Sequence, residues 1–438
     1  MPEYYLLQNG RIIDPATGTD RIADMLIEDG TIRTIDTPIT PPDGCTVIPL
    51  EGTIIAPGFV DMHVHLREPG YEHKETIATG TLSAAWGGFT AVCCMPNTNP
   101  AIDDESIVHF VQSQGKKSNR GMVDVYPIGA VTKGREGKLM APISELVEAG
   151  AVGLSDDGAP VYDAGIMRRA MEYASMYGVP IIQHCEDTAL AKGGVMNEGE
   201  SATRLGLPGI PNVAEEVMIA RDVMLAEFTR ARYHAAHVST AGAVELIREA
   251  KRKHIAVTCE VTPHHFTLTD KEVFSYDTNT KMNPPLRTQA DVDAIKQGLR
   301  DGTIDVIATD HAPHSLDEKE VDYIQAPFGI VGLETAIGLA VTELVLPGIL
   351  TIPQLIEKFS TNPRRIIGRE IRVEEGQPAV LTLFNPEEDW TVDCAGFHSK
   401  SKNSPFQGRL LKGKAVGIVN HGCVFMCRTD VNQQPQIL

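Results

Sequence analysis

Gly58-Phe59-Val60-Asp61-Met62-His63-Val64-His65-Leu66-Arg67-Glu68-Pro69-Gly70 reads as a buried strand that ends in a polar turn. With Ile54 and Ile55 before it, the predicted strand spans 54–65. Successive strand residues face opposite sides, so His63 and His65 share one side. Two neutral imidazoles side by side at a strand end can hold one divalent ion. Arg67 continues the row and offers a planar cationic fork for a carboxylate. Two histidines alone could be incidental; the rest of the chain decides.

Working outward, apolar strand-like runs alternate with helical patterns, the mark of an α/β fold with a parallel sheet. Eight strand candidates occur, at 54–65, 89–95, 123–131, 151–157, 180–186, 233–239, 255–263 and 304–310. Helical patterns lie between them, including 165–177, 214–230, 242–252 and 289–300. Eight such units predict a closed (β/α)8 barrel of the TIM type over 53–371. The first 52 residues read as short strands broken by Asn9-Gly10 and Asp29-Gly30, both hairpin signals. Residues 372–438 look similar, so the two ends are expected to pair into one small β domain. Val431 to Leu438 reads as a loose polar tail.

Polar residues cluster where these strands end, the face on which barrels carry their chemistry. Strand one ends in His63 and His65, and strand four in Ser155-Asp156-Asp157. Strand five runs into His184, strand six into His237, and strand eight into Asp310. Four histidines plus carboxylates exceed one open four-coordinate site and suit a pair of metals bridged by a carboxylate. His63, His65 and Asp310 would hold one metal and His184 and His237 the other, with Asp156 or Asp157 as the bridge. A metal-bridging hydroxide would then attack a carbonyl, and Asp310 would serve as base and then acid.

Composition narrows the classes of function. The formal charge of −19 argues against nucleic acid or an anionic membrane as the main partner, since both require a basic face. No apolar run reaches the ~20 residues of a membrane span. Eight scattered cysteines without a Cys-x-x-Cys pair suit a reducing compartment, and the opening Met1-Pro2-Glu3-Tyr4-Tyr5 lacks a secretory pattern, so a cytoplasmic protein is expected.

Four motifs in order carry a resemblance: His63-Val64-His65-Leu66-Arg67-Glu68-Pro69-Gly70, Cys94-Met95-Pro96-Asn97-Thr98, Met282-Asn283-Pro284-Pro285-Leu286-Arg287 and Ala308-Thr309-Asp310-His311-Ala312-Pro313-His314. Over nearly its whole length the chain resembles dihydroorotases of the bacterial class I type, a branch of the amidohydrolase superfamily. The resemblance implies reversible cyclisation of N-carbamoyl-L-aspartate to L-dihydroorotate in pyrimidine synthesis, with two zinc ions per chain. It implies that His63 and His65 bind one zinc, His184 and His237 the other, and that Asp310 is both ligand and acid/base. It assigns substrate contacts to His65, Arg67, Asn97, Asn283, His314, Phe328 and Gly329. Hydantoinase-type relatives bridge their metals with a carboxylated lysine on strand four, and this chain has none there. Asp157, 27 residues before His184 (157 to 184), has the family's spacing and is the chosen bridge. The family also admits a homodimer and an association with aspartate transcarbamoylase.

Other polar residues compete for notice. His264 and His265 end strand seven, His311 follows Asp310, and Glu186 stands two residues after His184 as a candidate partner of that histidine. The stretches 270–283 and 314–327 are candidate mobile lids. Another cyclic amidase, acting on hydantoin or allantoin, and a non-catalytic scaffold are the competing functions. Arg67 and the missing lysine weigh against the first, and the retained histidines and Asp310 against the second.

Overall fold

A computed structural model of the chain describes residues 3–427 and the backbone of 436–437. Eight parallel strands form the central sheet: β1 (Phe59–Val64), β2 (Phe89–Cys94), β3 (Asp124–Gly129), β4 (Gly153–Leu154), β5 (Ile181–Gln183), β6 (Tyr233–Ala235), β7 (Val257–Val261) and β8 (Val306–Ile307). They pair in chain order, and parallel bridging of Val64 with His311 closes the ring. The barrel is filled by a layer of small and branched side chains, among them Val60, Met62, Cys93, Ile182 and Val306. Helices cover the outside, including Ala164–Tyr177, Val213–Thr229, Ala241–Arg252 and Gln289–Arg300, close to their sequence-predicted spans. Each begins where a side chain or an acidic first turn meets unpaired N–H groups; Thr288 and Asp291 form a reciprocal capping box.

Strands from both ends share a second, nine-stranded sheet, in which Leu381–Thr391 pairs with Ile54–Pro57 and with Leu410–Asn420. The expected strand at 54–65 is therefore two strands. Ile54–Pro57 belongs to this sheet and Phe59–Val64 to the barrel, with Gly58 as the crossing. A β-carbon at Gly58 would lie 2.3 Å from Thr90 Oγ1 and 2.9 Å from Val380, so only glycine passes this junction. Phe59 stacks on Phe359 at 5.2 Å and meets Phe384 at 5.8 Å, joining barrel floor to β domain. Each such buried ring adds about 2 kcal/mol of transfer free energy. Asn9-Gly10, expected as a hairpin turn, is instead a bulge inside Tyr4–Asp14. Asn9 takes φ 60° there while its N–H donates to Asp24, and Gly10 leaves room for Ile55. In the polar tail, Gln436–Ile437 pairs as a strand with Cys423–Met426 rather than lying loose; Val431 to Pro435 and Leu438 lie outside the described residues.

Candidate active site

A bulge builds the floor of the site. On β1, Asp61 pairs with Val92 and Val64 with Cys94, so three steps on one strand match two on the other. The extra residue switches the inward face. Val60 and Met62 fill the barrel below it, whereas His63 and His65 point inward above it. Asp61 stabilises the irregular segment: its carboxylate accepts the N–H groups of His63 and Thr309, 3.0 and 3.1 Å away, and so ties β1 to β8. Three site residues adopt left-handed backbone where their strands stop, Arg67 (φ 61°), His237 (φ 31°) and Asp310 (φ 48°). Such conformations are costly for residues other than glycine and gather at functional sites.

Two groups of potential ligands share one carboxylate. His63, His65 and Asp157 form the first and Asp157, His184 and His237 the second; within each, one donor atom per residue lies within 4.8 Å of the others. Asp157 Oδ1 is 3.3 Å from His63 Nε2, 3.6 Å from His237 Nε2 and 3.7 Å from His184 Nδ1. Asp310 Oδ1 is 3.0 Å from His65 Nε2 and 3.7 Å from His63 Nε2. His63 Nε2 and Asp157 Oδ1 are buried without a hydrogen-bond partner. Buried polar atoms are rarely left so, and an ion among them removes the deficit. Both nitrogen and carboxylate donors are present, and the set fits divalent metal. Asp156 is engaged elsewhere: it accepts the N–H groups of Val131 and Thr132, both at 2.9 Å, and the Thr132 hydroxyl.

Partners behind the histidines orient them. His63 Nδ1 lies 2.6 Å from Glu260 Oε1, which leaves Nε2 turned to the site. His65 Nδ1 lies 2.8 Å from Asn97 Oδ1, with the same result. Burial disfavours the Asp310 carboxylate, yet His65, His63 and His237 hold it well below the ordinary range. Burial likewise opposes ionisation of Glu260, but His63 and His234 bring it down to about 2. Burial pushes His314 down to about 3, with Arg67, Lys319 and Lys74 adding to the effect. A neutral His314 can donate from Nε2 to Phe328 O, 2.8 Å away.

A cavity of about 340 Å3 opens above this floor, and every sequence-predicted site residue except His63 lines it. His63 lies beneath, fully buried. A larger hollow of about 490 Å3 beside Trp86, Trp390 and His398 shares no residue with it. The competing residues serve other purposes. His265 bridges Thr262 Oγ1 and Pro284 O, His311 reaches Glu75, and Glu186 accepts from Asn283 Nδ2 at 2.7 Å rather than from His184. His264 is buried with Nε2 unpartnered and pushed by burial down to about 4. Sequence reasoning passed over Asp61 and Glu260. Each is a lone acid inside an apolar strand, and that isolation was the available signal, because a buried charge needs partners.

Residues 52–243 match the family model described as Dihydro-orotase-like. A dihydroorotase of Pelotomaculum thermopropionicum is 53% identical over 422 residues, covering 96% of this chain and 98% of that protein. The chain belongs to the dihydroorotase family. A second dihydroorotase, from Caldanaerobacter subterraneus, is 53% identical over 93% of this chain and 94% of its own. Among solved structures, an L-hydantoinase (dihydropyrimidinase) of Arthrobacter aurescens superposes with a TM-score of 0.84 at 25% identity, covering 100% of this chain and 98% of that one. The dihydropyrimidinase of Brevibacillus agri, at TM-score 0.81 and 22% identity, shares the fold. As a dihydroorotase, the chain is a metal-dependent cyclic amidohydrolase. No helix among the described residues is long and apolar enough to cross a membrane.

Proposed function

We propose that the chain interconverts N-carbamoyl-L-aspartate and L-dihydroorotate for pyrimidine synthesis at a two-zinc centre. The observation that carries this reading is the pair of ligand groups joined at Asp157, with His63 Nε2 and Asp157 Oδ1 buried and unpartnered. His63, His65 and Asp310 would hold one ion, His184 and His237 the other, and Asp157 both. When bound, the metals supply polarisation of the substrate carbonyl and a lowered water pKa. Arg67, half-buried in the cavity wall, presents its guanidinium to the substrate carboxylate. Asn97, whose Oδ1 is taken by His65, keeps its amide donors for the substrate. Glu186 fixes the Asn283 amide, whose Nδ2 also lies 3.3 Å from His184 Nε2. His314, Phe328 and Gly329 close the remaining side. In the hydrolytic direction, Asp310 takes the proton of the attacking water at its carboxylate and returns it to the leaving ring nitrogen.

The same reading groups residues 1–52 and 372–438 as the β domain and 53–371 as the barrel domain, although Ile54–Pro57 pairs into the sheet of the β domain and the chain crosses between sheets at Gly58. It makes the chain a cytoplasmic enzyme, in keeping with its eight free cysteines. It also includes a homodimer and association with aspartate transcarbamoylase, which sedimentation with and without that enzyme would test. The reaction is tested by L-dihydroorotate hydrolysis at known metal content, before and after chelation and zinc return. Activity that follows about two metals per chain supports the reading; full metal without turnover sinks it.

A further inference from the structure

One part of the cavity wall has no sheet to hold it. It is formed by Asn283, at the end of the irregular run Lys281 to Asn283, and by the irregular segment Pro327 to Gly329. The three carbonyls of the second segment each accept from a side chain. Pro327 O is 2.8 Å from Lys319 Nζ, Phe328 O is 2.8 Å from His314 Nε2, and Gly329 O is 3.1 Å from Asn403 Nδ2. Lys319 hydrogen-bonds to both segments, since its Nζ also lies 3.4 Å from Lys281 O, and it reaches Thr278 O just before the first of them at 3.1 Å. An ammonium has three donors, and three carbonyls converge on this one. Lys319 is 4% exposed, and no carboxylate lies within ion-pair distance of it among the described residues. A surface lysine would gain nothing from such burial; the cost is offset only if those carbonyls need a common donor.

Neighbouring contacts show what the tether fixes. Gly329 N donates to Lys281 O at 3.0 Å, so one carbonyl joins the loop wall and the lysine. A β-carbon on Gly329 (φ 124°) would lie 2.7 Å from Ala312, so the segment sits hard against the chain that follows β8. Lys281, also buried, donates to Tyr323 O and Ile324 O and lies 4.8 Å from the Phe328 ring centre.

We propose that Lys319 is a positioning residue for the reaction: by gathering the carbonyls of Thr278, Lys281 and Pro327 it sets the distance between Asn283 and the Phe328–Gly329 backbone, the two sides that grip the substrate ring. The proposal rests on the substrate reading above, which gives those residues their contacts.

Lys319→Met keeps the apolar stem and removes the donors, whereas Lys319→Ala leaves room for an added amine. In Lys319→Met the KM for L-dihydroorotate rises about tenfold while kcat stays within about threefold, with bound metal and circular dichroism unchanged. In Lys319→Ala, millimolar propylammonium restores the lower KM. Hydrogen exchange reads the tether without substrate: the amides of 278–283 and 327–329 exchange faster in both variants, and those of β1 and β8 do not. Unchanged KM and exchange in a folded, metal-loaded variant overturn the proposal. So does failure of both variants to fold, which makes the lysine a requirement of the fold alone. A wild-type protein inactive on L-dihydroorotate overturns the substrate reading and with it the catalytic role, and the exchange data still decide whether the tether exists.

Discussion

The two sides of the active-site cavity are built by different means. The histidine side stands on barrel strands. Its backbone is fixed by the parallel ladder and by the Asp61 carboxylate, and its histidines are aimed by partners such as Glu260. The other side is loop, and its backbone groups are collected by Lys319, His314 and Asn403. A strand-built side can place ligand atoms to the tolerance a metal requires, because neighbouring strands over-determine it. A loop-built side can be adjusted to one substrate without disturbing the barrel. Metal binding and the loop-borne part of the substrate fit are thus held by separable parts, and each part is open to attack residue by residue.

The largest effects are expected on the strand side. Asp310→Asn keeps nearly the same shape but removes the carboxylate that moves the proton. Its kcat should fall about 10³- to 10⁴-fold while metal content stays near the wild-type level. Steady-state rates with elemental analysis check this, and an unchanged rate would falsify the acid/base role. The adjacent aspartates give a sharper contrast. Asp157→Asn should lose both metal and activity, since both ligand groups share that carboxylate. Asp156→Asn should keep its metal and instead lose about 1–3 kcal/mol of stability, because Asp156 serves buried donors of Val131 and Thr132. Metal loss from Asp156→Asn rather than Asp157→Asn would reverse the assignment.

A smaller effect is expected one layer out. Glu260 contacts His63 Nδ1 with one oxygen and His234 Nε2 with the other, and is fully buried. Glu260→Gln should weaken metal binding about 10- to 100-fold, the usual consequence of disturbing the partner of a ligating histidine. Competition with a chromogenic chelator measures it. An equal loss of affinity in Lys319→Met would show that the two sides are not separable.

The same contrast governs what could be read from the sequence. Strand-end residues were legible because an apolar run seldom turns abruptly into a histidine or an aspartate, and here His184, His237 and Asp310 all do so at the same end of the barrel. The eight-fold alternation and the pairing of both chain ends were legible for a similar reason, a repeated pattern of turns and apolar runs. The β1 bulge was not, since the count that reveals it lies on β2. Neither was the split of 54–65, because the run from Ile54 is almost wholly apolar up to His63 and only the packing around Gly58 separates the two strands. Lys319 was invisible: within Leu316-Asp317-Glu318-Lys319-Glu320 it looks like any solvated helix charge. Its partners are main-chain carbonyls up to 41 residues away, which no side-chain pattern encodes.

Asp222, on the helix Val213–Thr229, supplies a test away from both sides. Burial raises its carboxyl from the ordinary range to about 7, although Arg221 lowers it again through an ion pair at 2.7 Å. Its Oδ2 has no partner, so a proton is welcome there. A carboxyl whose folded pKa exceeds its unfolded value binds its proton more tightly in the folded state. Its contribution is therefore fully present below about pH 4, declines as pH rises, and is exhausted near pH 7. The slope cannot exceed about 1.4 kcal/mol per pH unit, and relaxation around Arg221 reduces it. Asp222→Asn removes the slope. Denaturant unfolding of both proteins at a series of pH values from 4 to 8 should show the wild type losing ground to the variant up to about pH 7 and none beyond. Parallel curves would mean that Arg221 keeps the carboxylate ionised throughout. KM and kcat of Asp222→Asn should stay at wild-type values at every pH where both proteins are folded, because neither side of the cavity rests on this helix position.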